Sequence, residues 1–257
     1  AGHDYLEPLE ALAPERAVVV YDQLGCGQSD QPEDRSLWRM ERFVAEVDTV
    51  RRALGLAQIH LLGHSWGGWL ALEYMLTYPL GVVSLVLAST SASIPQFLAE
   101  AARLKAALAL EVYQTMQHYE AAGDLHHPAY KAAVLEFYRQ HLCRLDPWPA
   151  PLLRTGRNLE GNAVYETMWG PNEFTGVGNL KDWHRTDRLG EITVPTLITV
   201  GRYDELTPAC AETMRRGIAH AQMRVFEHSS HTAHLEETAT YLQVVREFLA
   251  HVPAEPL

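Results

Sequence analysis

The sequence predicts an α/β fold, a mostly parallel sheet flanked by helices, with an inserted all-helical cap. Three observations carry this. Short β-branched runs alternate with amphipathic stretches toward both ends of the chain, the middle third reads as helix without strand, and 257 residues with 47% hydrophobic and 21% charged content can build a deep core.

The elements follow in order. Ala17-Val18-Val19-Val20-Tyr21 is a continuous β-branched run that stops at Asp22 and a glycine-rich turn, as a strand buried on both faces would. Ile59 to Leu62 and Val82 to Leu87 repeat the pattern, with helical periodicity at Met40 to Leu54 and Gly67 to Thr77 between the runs. This alternation spells βαβ units with right-handed crossovers. From Ile94 to Leu189 the pattern is helical, with amphipathic stretches at Phe97 to Ala122 and Tyr130 to Leu142 and a break at Pro147, Pro149 and Pro151. Strand signals resume at Pro195 to Val200 and Met223 to Phe226, around a helix from Ala209 to Ile218, and a last helix covers Tyr241 to Leu249. The expected domains are therefore 1–93 as the first part of the core, 94–189 as the cap and 190–257 as the second part of the core.

A formal net charge of -11 argues against nucleic acid and anionic membrane surfaces as partners, because an acidic protein repels polyanions. A small cationic substrate fits better. Cys26, Cys143 and Cys210 lack CxxC spacing and suggest neither a disulfide framework nor a zinc knuckle, so reduced thiols in a cytoplasmic protein are expected. No run of eighteen apolar residues is present, and the start Ala1-Gly2-His3-Asp4 has no basic or apolar leader pattern.

Gly63-His64-Ser65-Trp66-Gly67 fits G-x-S-x-G, a weak pattern alone. Its context is specific. It follows an apolar strand and opens a helix, the strand-turn-helix of a nucleophile elbow, where close backbones call for glycine at 63 and 67 and the serine is held strained. Ser65 is thus the candidate nucleophile of an α/β-hydrolase fold, and the backbone NH of Trp66 one donor of its oxyanion hole. The competing reading is a glycine turn whose serine merely caps the helix.

A serine nucleophile needs a histidine base and an acid that orients it. In this fold they follow in the order serine, acid, histidine. The strand ending at Val200 runs into Gly201-Arg202-Tyr203-Asp204-Glu205, which offers Asp204 or Glu205. The next leads to His228, His231 and His234 ahead of the final helix. Position leaves the choice among these open. Their spacing could also suggest a metal site, but no cysteine or tight carboxylate cluster completes one, so no metal is expected.

The chain resembles the prolyl aminopeptidases, or proline iminopeptidases, including the archaeal tricorn-interacting aminopeptidases. The likeness covers nearly the whole chain and rests on Tyr21-Asp22-Gln23-Leu24-Gly25-Cys26-Gly27-Gln28-Ser29-Asp30, Ser65-Trp66-Gly67-Gly68, Gly170-Pro171-Asn172-Glu173-Phe174 and Leu180-Lys181-Asp182-Trp183. It continues through Pro195-Thr196-Leu197 and Gly201-Arg202-Tyr203-Asp204-Glu205 to Ser230-His231. The resemblance implies Ser65, Asp204 and His231 as the triad, and Glu173 and Glu205 as carboxylates that hold the substrate's free α-amino group. Tyr165 and Trp66 are expected to pack around a prolyl ring. It implies a serine exopeptidase that releases an N-terminal residue, preferably proline, through an acyl-enzyme. Short peptides or amino-acid amides with a free N-terminus would be its partners, a monomer its state, and no cofactor is required. The rival readings are an amino-acid amidase or broader aminopeptidase with the same triad, an esterase that would not need the two glutamates, and an inactive truncated domain.

In one respect the sequence departs from that family. Its members carry an HGGPG-type segment, which supplies the other oxyanion donor, ahead of the region that begins here. Roughly 35–45 residues, two or three strands with their turns, are therefore expected to precede Ala1 in a longer enzyme. Loss of one such donor would cost about 10²–10³ in rate.

Overall fold

A computed structural model describes residues 2–252. Among the described residues the sheet has four strands, β1 (Ile59–His64), β2 (Val82–Ala88), β3 (Thr196–Gly201) and β4 (Ala221–Phe226), in the order β1-β2-β3-β4 and parallel throughout. Register is set across the sheet by pairs such as Gly63 with Leu87, Leu87 with Ile198 and Ile198 with Met223. Side chains along a strand alternate between faces, so Leu85 and Leu87 enter one core and Val86 the other. β3 is buried along its whole length.

On one face lie α1 (Met40–Ala53), α2 (Trp66–Thr77) and α8 (Pro208–Gly217). Met40, Phe43 and Val44 form the buried stripe of α1, and Arg51 and Arg52 sit in its last turn, where cations favour the negative end of the helix dipole. α2 buries seven of its twelve residues. That is why its sequence is apolar on almost every side. The other face is covered by α10 (Thr238–Ala250) through Tyr241, Leu242, Val245, Phe248 and Leu249, together with Leu9 and Leu12 of a 3₁₀ segment at Asp4–Leu12.

Between β2 and β3 the chain makes five α-helices, α3 (Ile94–Ala106), α4 (Leu110–Ala122), α5 (Pro128–His141), α6 (Ala150–Leu159) and α7 (Ala163–Met168), followed by a 3₁₀ segment at Thr186–Glu191. Local chemistry sets their starts. Ser93 accepts from the Gln96 amide to cap α3, and His127 accepts from the Ala129 amide ahead of Pro128 to cap α5. The stretch from Phe97 to Ala122, expected as one helical pattern, is two helices that part around the buried Leu108. The proline-rich break passes straight into α6, with Pro151 in the first turn, where a missing amide hydrogen costs nothing. A short α9 (Ala233–Glu236) precedes α10.

One element differs from expectation. Ala17–Tyr21 forms no strand ladder, and Val19 and Val20 are 48% and 38% exposed. A β-branched run becomes a strand only when a neighbour takes its amide and carbonyl groups, and no described segment does so here.

Parallel strands bring all their C-terminal ends to one edge of the sheet. Ser65 follows β1, Asp204 follows β3 and His231 follows β4, so residues more than a hundred positions apart in sequence converge at that edge. The helical insertion departs from the same edge, after β2.

Candidate active site

The elbow is shaped by its glycines. A Cβ on Gly63 would lie 2.1 Å from the Gly67 carbonyl oxygen, and one on Gly68 would lie 2.4 Å from Thr90 Oγ1. Gly67 itself has open space where a Cβ would stand, so close packing explains the first glycine of the motif and not the second, a correction to the expectation for both. Ser65 has φ 55 and ψ -121, a conformation that side chains other than glycine rarely adopt. Three hydrogen bonds hold it there. The Ser65 amide donates to Ala88 O at 3.0 Å, and its carbonyl accepts from the Gly68 amide at 2.8 Å and Thr90 Oγ1 at 2.9 Å. The Ser65 side chain makes no capping hydrogen bond to α2, which removes the reading of a helix-capping serine. Trp66 is the first residue of α2, so its amide is a first-turn donor without an intrahelical acceptor.

The candidate acid and base sit on facing loops. His231 Nδ1 lies 2.9 Å from Asp204 Oδ1, and the same oxygen accepts the Leu206 amide at 2.9 Å. Both side chains are buried. A Cβ on Gly201 would strike Ser230 O at 2.1 Å, which shows how closely the two loops approach. The end of α5 joins them: the His141 carbonyl accepts both the Glu205 amide at 3.3 Å and the His231 amide at 3.2 Å. Burial alone would pull the His231 imidazole down, but the charge of Asp204 and its hydrogen bond, with Glu205 and Glu173 behind, push it up to about 9.

The three histidines have separate surroundings. His228 is exposed, whereas His234 is buried with its Nε2 3.0 Å from Tyr5 O, and burial pulls it down to about 3. Its ring packs edge-on against His64, Tyr5 and Tyr241. Among the described residues no three His, Cys, Asp or Glu side chains are grouped to hold a metal ion.

Glu205 is 1% exposed, and its Oε1 stands 4.0 Å from His231 Nε2, while Oε2 has no hydrogen-bond partner among the described residues. Burial drives its carboxyl well above the usual range, with Glu173 and Asp204 adding to the rise and His231 opposing it. Glu173 reaches the same space from the turn after α7. That turn is closed by Gly170, whose Cβ would lie 2.1 Å from Thr175 O, by the Trp169 indole donating to Asn172 O at 2.9 Å, and by Phe174 against Phe137. Tyr165 Oη donates to Glu173 Oε1 at 2.9 Å, and the Glu173 amide lies 3.2 Å from Tyr138 Oη. Tyr165 therefore spends its hydroxyl on a carboxylate, a role the sequence did not suggest. The Trp66 indole donates to Gln23 Oε1 at 2.9 Å and meets Phe43 and Trp69 edge-on.

Sequence reasoning also missed the supports of the histidine loop. Glu236 accepts from the Ser230 amide at 2.9 Å and from Thr232 Oγ1 at 3.2 Å, and Glu237 accepts from the His228 amide at 3.1 Å and Ser229 Oγ at 2.5 Å. The adjacent pair Glu236-Glu237, separated from Ser229-Ser230 by His231 to Leu235, was the available signal.

Residues 2–238 match the alpha/beta hydrolase fold family. A proline iminopeptidase of Saccharolobus solfataricus is 42% identical over 98% of this chain and 82% of its own length. One from Heyndrickxia coagulans is 42% identical over 94% of this chain and 84% of its own. Among solved structures, VinJ superposes with a TM-score of 0.95 at 36% identity, covering 98% of this chain and 87% of that one. The proline iminopeptidase of Mycobacterium smegmatis gives 0.91 at 38% identity, over 97% and 85%.

Proposed function

The chain belongs to the proline iminopeptidase family of α/β-hydrolases, and we propose that it is a serine aminopeptidase that releases an N-terminal residue, preferably proline, from short peptides or amino-acid amides. The observation that carries this is the juxtaposition of a buried Asp204–His231 pair with two carboxylates, Glu205 and Glu173, that no lysine or arginine among the described residues neutralises. A general esterase has no use for such a negative pocket. A free N-terminal ammonium does, through charge-assisted hydrogen bonds of about 1.5–3 kcal/mol each.

In the proposed cycle His231 Nε2 takes the proton of Ser65, whose oxygen attacks the first peptide carbonyl. The Trp66 amide donates to the oxyanion. His231 then protonates the leaving amine, and water admitted to the same base hydrolyses the acyl-enzyme. Asp204 holds the imidazole with Nδ1–H toward itself and Nε2 toward the reaction. The helical insertion serves as the cap, since it contributes Glu173, Tyr165 and Tyr138 from above the sheet edge. All of these groups come from one chain, and a monomer suffices. Three buried cysteines without CxxC spacing suit a cytoplasmic enzyme.

Hydrolysis of prolyl, alanyl and N-acetyl-prolyl anilides tests the reading. Prolyl anilide should be cleaved best and the N-acetyl compound hardly at all, because acylation leaves Glu173 and Glu205 facing no cation. Good cleavage of the N-acetyl compound would reject the amine-holding role.

A further inference from the structure

Glu205 lies on the wrong side of His231 to be a bystander. The imidazole presents Nδ1 to Asp204 and Nε2, the nitrogen that must receive the serine proton, toward Glu205 Oε1 at 4.0 Å. Asp204 and Glu205 face this ring from the loop after β3, Glu173 from the turn after α7, His64 from the elbow and His234 from α9. Tyr138 and Tyr165 stand against Glu173. His64 and His234 are kept neutral by burial and bring no positive charge. With neither lysine nor arginine paired to Glu173, Asp204 or Glu205 among the described residues, the cation available to this cluster is the imidazolium of His231 itself.

Resting on the reading that Glu173 and Glu205 hold the substrate amine, we propose that Glu205 makes activation of the base conditional on the substrate's charge. Burial, Glu173 and Asp204 all oppose an ionised Glu205 and His231 alone favours it, so without substrate the carboxylate persists only with the imidazolium as its counter-ion, the proton stays on His231 Nε2, and the base is occupied. When the substrate's ammonium enters between Glu173 and Glu205, it replaces the imidazolium as their counter-ion. The Nε2–H bond breaks, the proton passes to bulk water, and the electron pair left on Nε2 can accept the Ser65 proton. No electron transfer and no other reactant is involved. Asp204 contributes most of the rise of His231 to about 9, and Glu205 and Glu173 add to it. One residue would then select for a free N-terminus twice, in binding and in turnover, and spontaneous acylation of Ser65 by stray esters would be suppressed in the resting enzyme.

The test reads the base without a peptide. Second-order labelling of Ser65 by diisopropyl fluorophosphate, followed from pH 5.5 to 10, reports the fraction of free enzyme with an unprotonated His231. Wild type should show a midpoint near 9, and Glu205→Gln a midpoint lower by a unit or more, so that at pH 7 the variant labels about tenfold faster or more while cleaving prolyl anilide more slowly. A variant damaged only in structure would label more slowly at every pH. Calorimetric titration of wild type with pyrrolidine hydrochloride at pH 7, in two buffers of different ionisation enthalpy, should show close to one proton released per amine bound, a measurement that needs no variant. A wild-type midpoint near 7, a midpoint unmoved in Glu205→Gln, or amine binding without proton release would overturn the inference. Failure of the underlying reading has a different signature: efficient cleavage of N-acetyl-prolyl anilide.

Discussion

His64 Nε2 lies 2.8 Å from the main-chain oxygen of His231, and the two rings meet edge to face with centroids 4.7 Å apart. A carbonyl only accepts, so Nε2 carries the hydrogen and Nδ1 is left to accept from Tyr5 Oη at 3.2 Å. Since His64 immediately precedes Ser65, this bond ties the elbow directly to the loop that bears His231, the proposed base. His64→Leu would leave the His231 carbonyl buried without that donor and should cost about 1–3 kcal/mol of stability. Urea denaturation would measure that loss, and anilide kinetics should show kcat falling more than KM changes. An unaltered kcat would mean the loop is positioned without His64.

The two glycines of the elbow should respond differently to the same substitution. Gly63→Ala forces a Cβ to within 2.1 Å of backbone that cannot move aside, and a loss of about 3 kcal/mol or more is expected. Gly67→Ala meets no atom within 4 Å beyond its chain neighbours and the backbone of its own helix, and should fold with near wild-type thermal stability. Thermal denaturation of the two variants side by side decides this, and equal destabilisation would contradict it.

Asp204→Asn keeps the volume and an acceptor for the Leu206 amide, but it can no longer specify that His231 carries its hydrogen on Nδ1. Turnover should fall by about 10⁴ with the fold retained. Circular dichroism alongside kcat separates the two effects, and a variant within tenfold of wild type would remove Asp204 from the proposed triad.

Stability should decline on acidification below about pH 6.5. Burial holds His64 and His234 well below the histidine value, so the unfolded chain binds protons there that the folded one refuses. Each group therefore contributes stability that is present above about pH 6.5 and lost as pH falls, at about 1.4 kcal/mol per pH unit. Glu205 has the opposite sign, because its raised carboxyl favours the folded state at low pH, but it opposes two histidines. His231, raised to about 9, adds stability below its unfolded value and loses it as pH rises toward 9, which places the optimum near neutrality. His234→Gln, which keeps a donor for Tyr5 O, should flatten the slope between pH 6 and 4.5 by about 1.4 kcal/mol per unit. An identical slope would show that His234 is not the group titrating.

Tyr165→Phe removes the hydroxyl that donates to Glu173 Oε1. Since a bond to a charged acceptor is worth about 1.5–3 kcal/mol, kcat/KM for prolyl anilide should fall by about tenfold or more. Retained activity would return Tyr165 to the packing role expected from the sequence.

Local order was written plainly in the chain. The strands at Ile59, Val82, Thr196 and Ala221 and the elbow at Ser65 depend on side-chain alternation and on residues within a few positions of each other, and each formed where its pattern lay. Asp204 could be placed at a strand's C-terminal end for the same reason. What depends on partners far along the chain was decided only by the tertiary structure. Ala17–Tyr21 has the composition of a strand and no ladder, because backbone pairing needs a neighbour that composition does not supply. His228 and His234 are alike in sequence context, yet one is solvated and the other buried beneath Tyr5, since burial is a property of what packs above a residue. The carbonyl of His141, at the end of α5, joins the amides of Glu205 and His231 through a main-chain atom that every residue possesses, so no side-chain pattern could have announced it. Sequence determined which groups would stand at the sheet edge, and three-dimensional packing decided which of them would touch, with charge and burial setting where their protons reside.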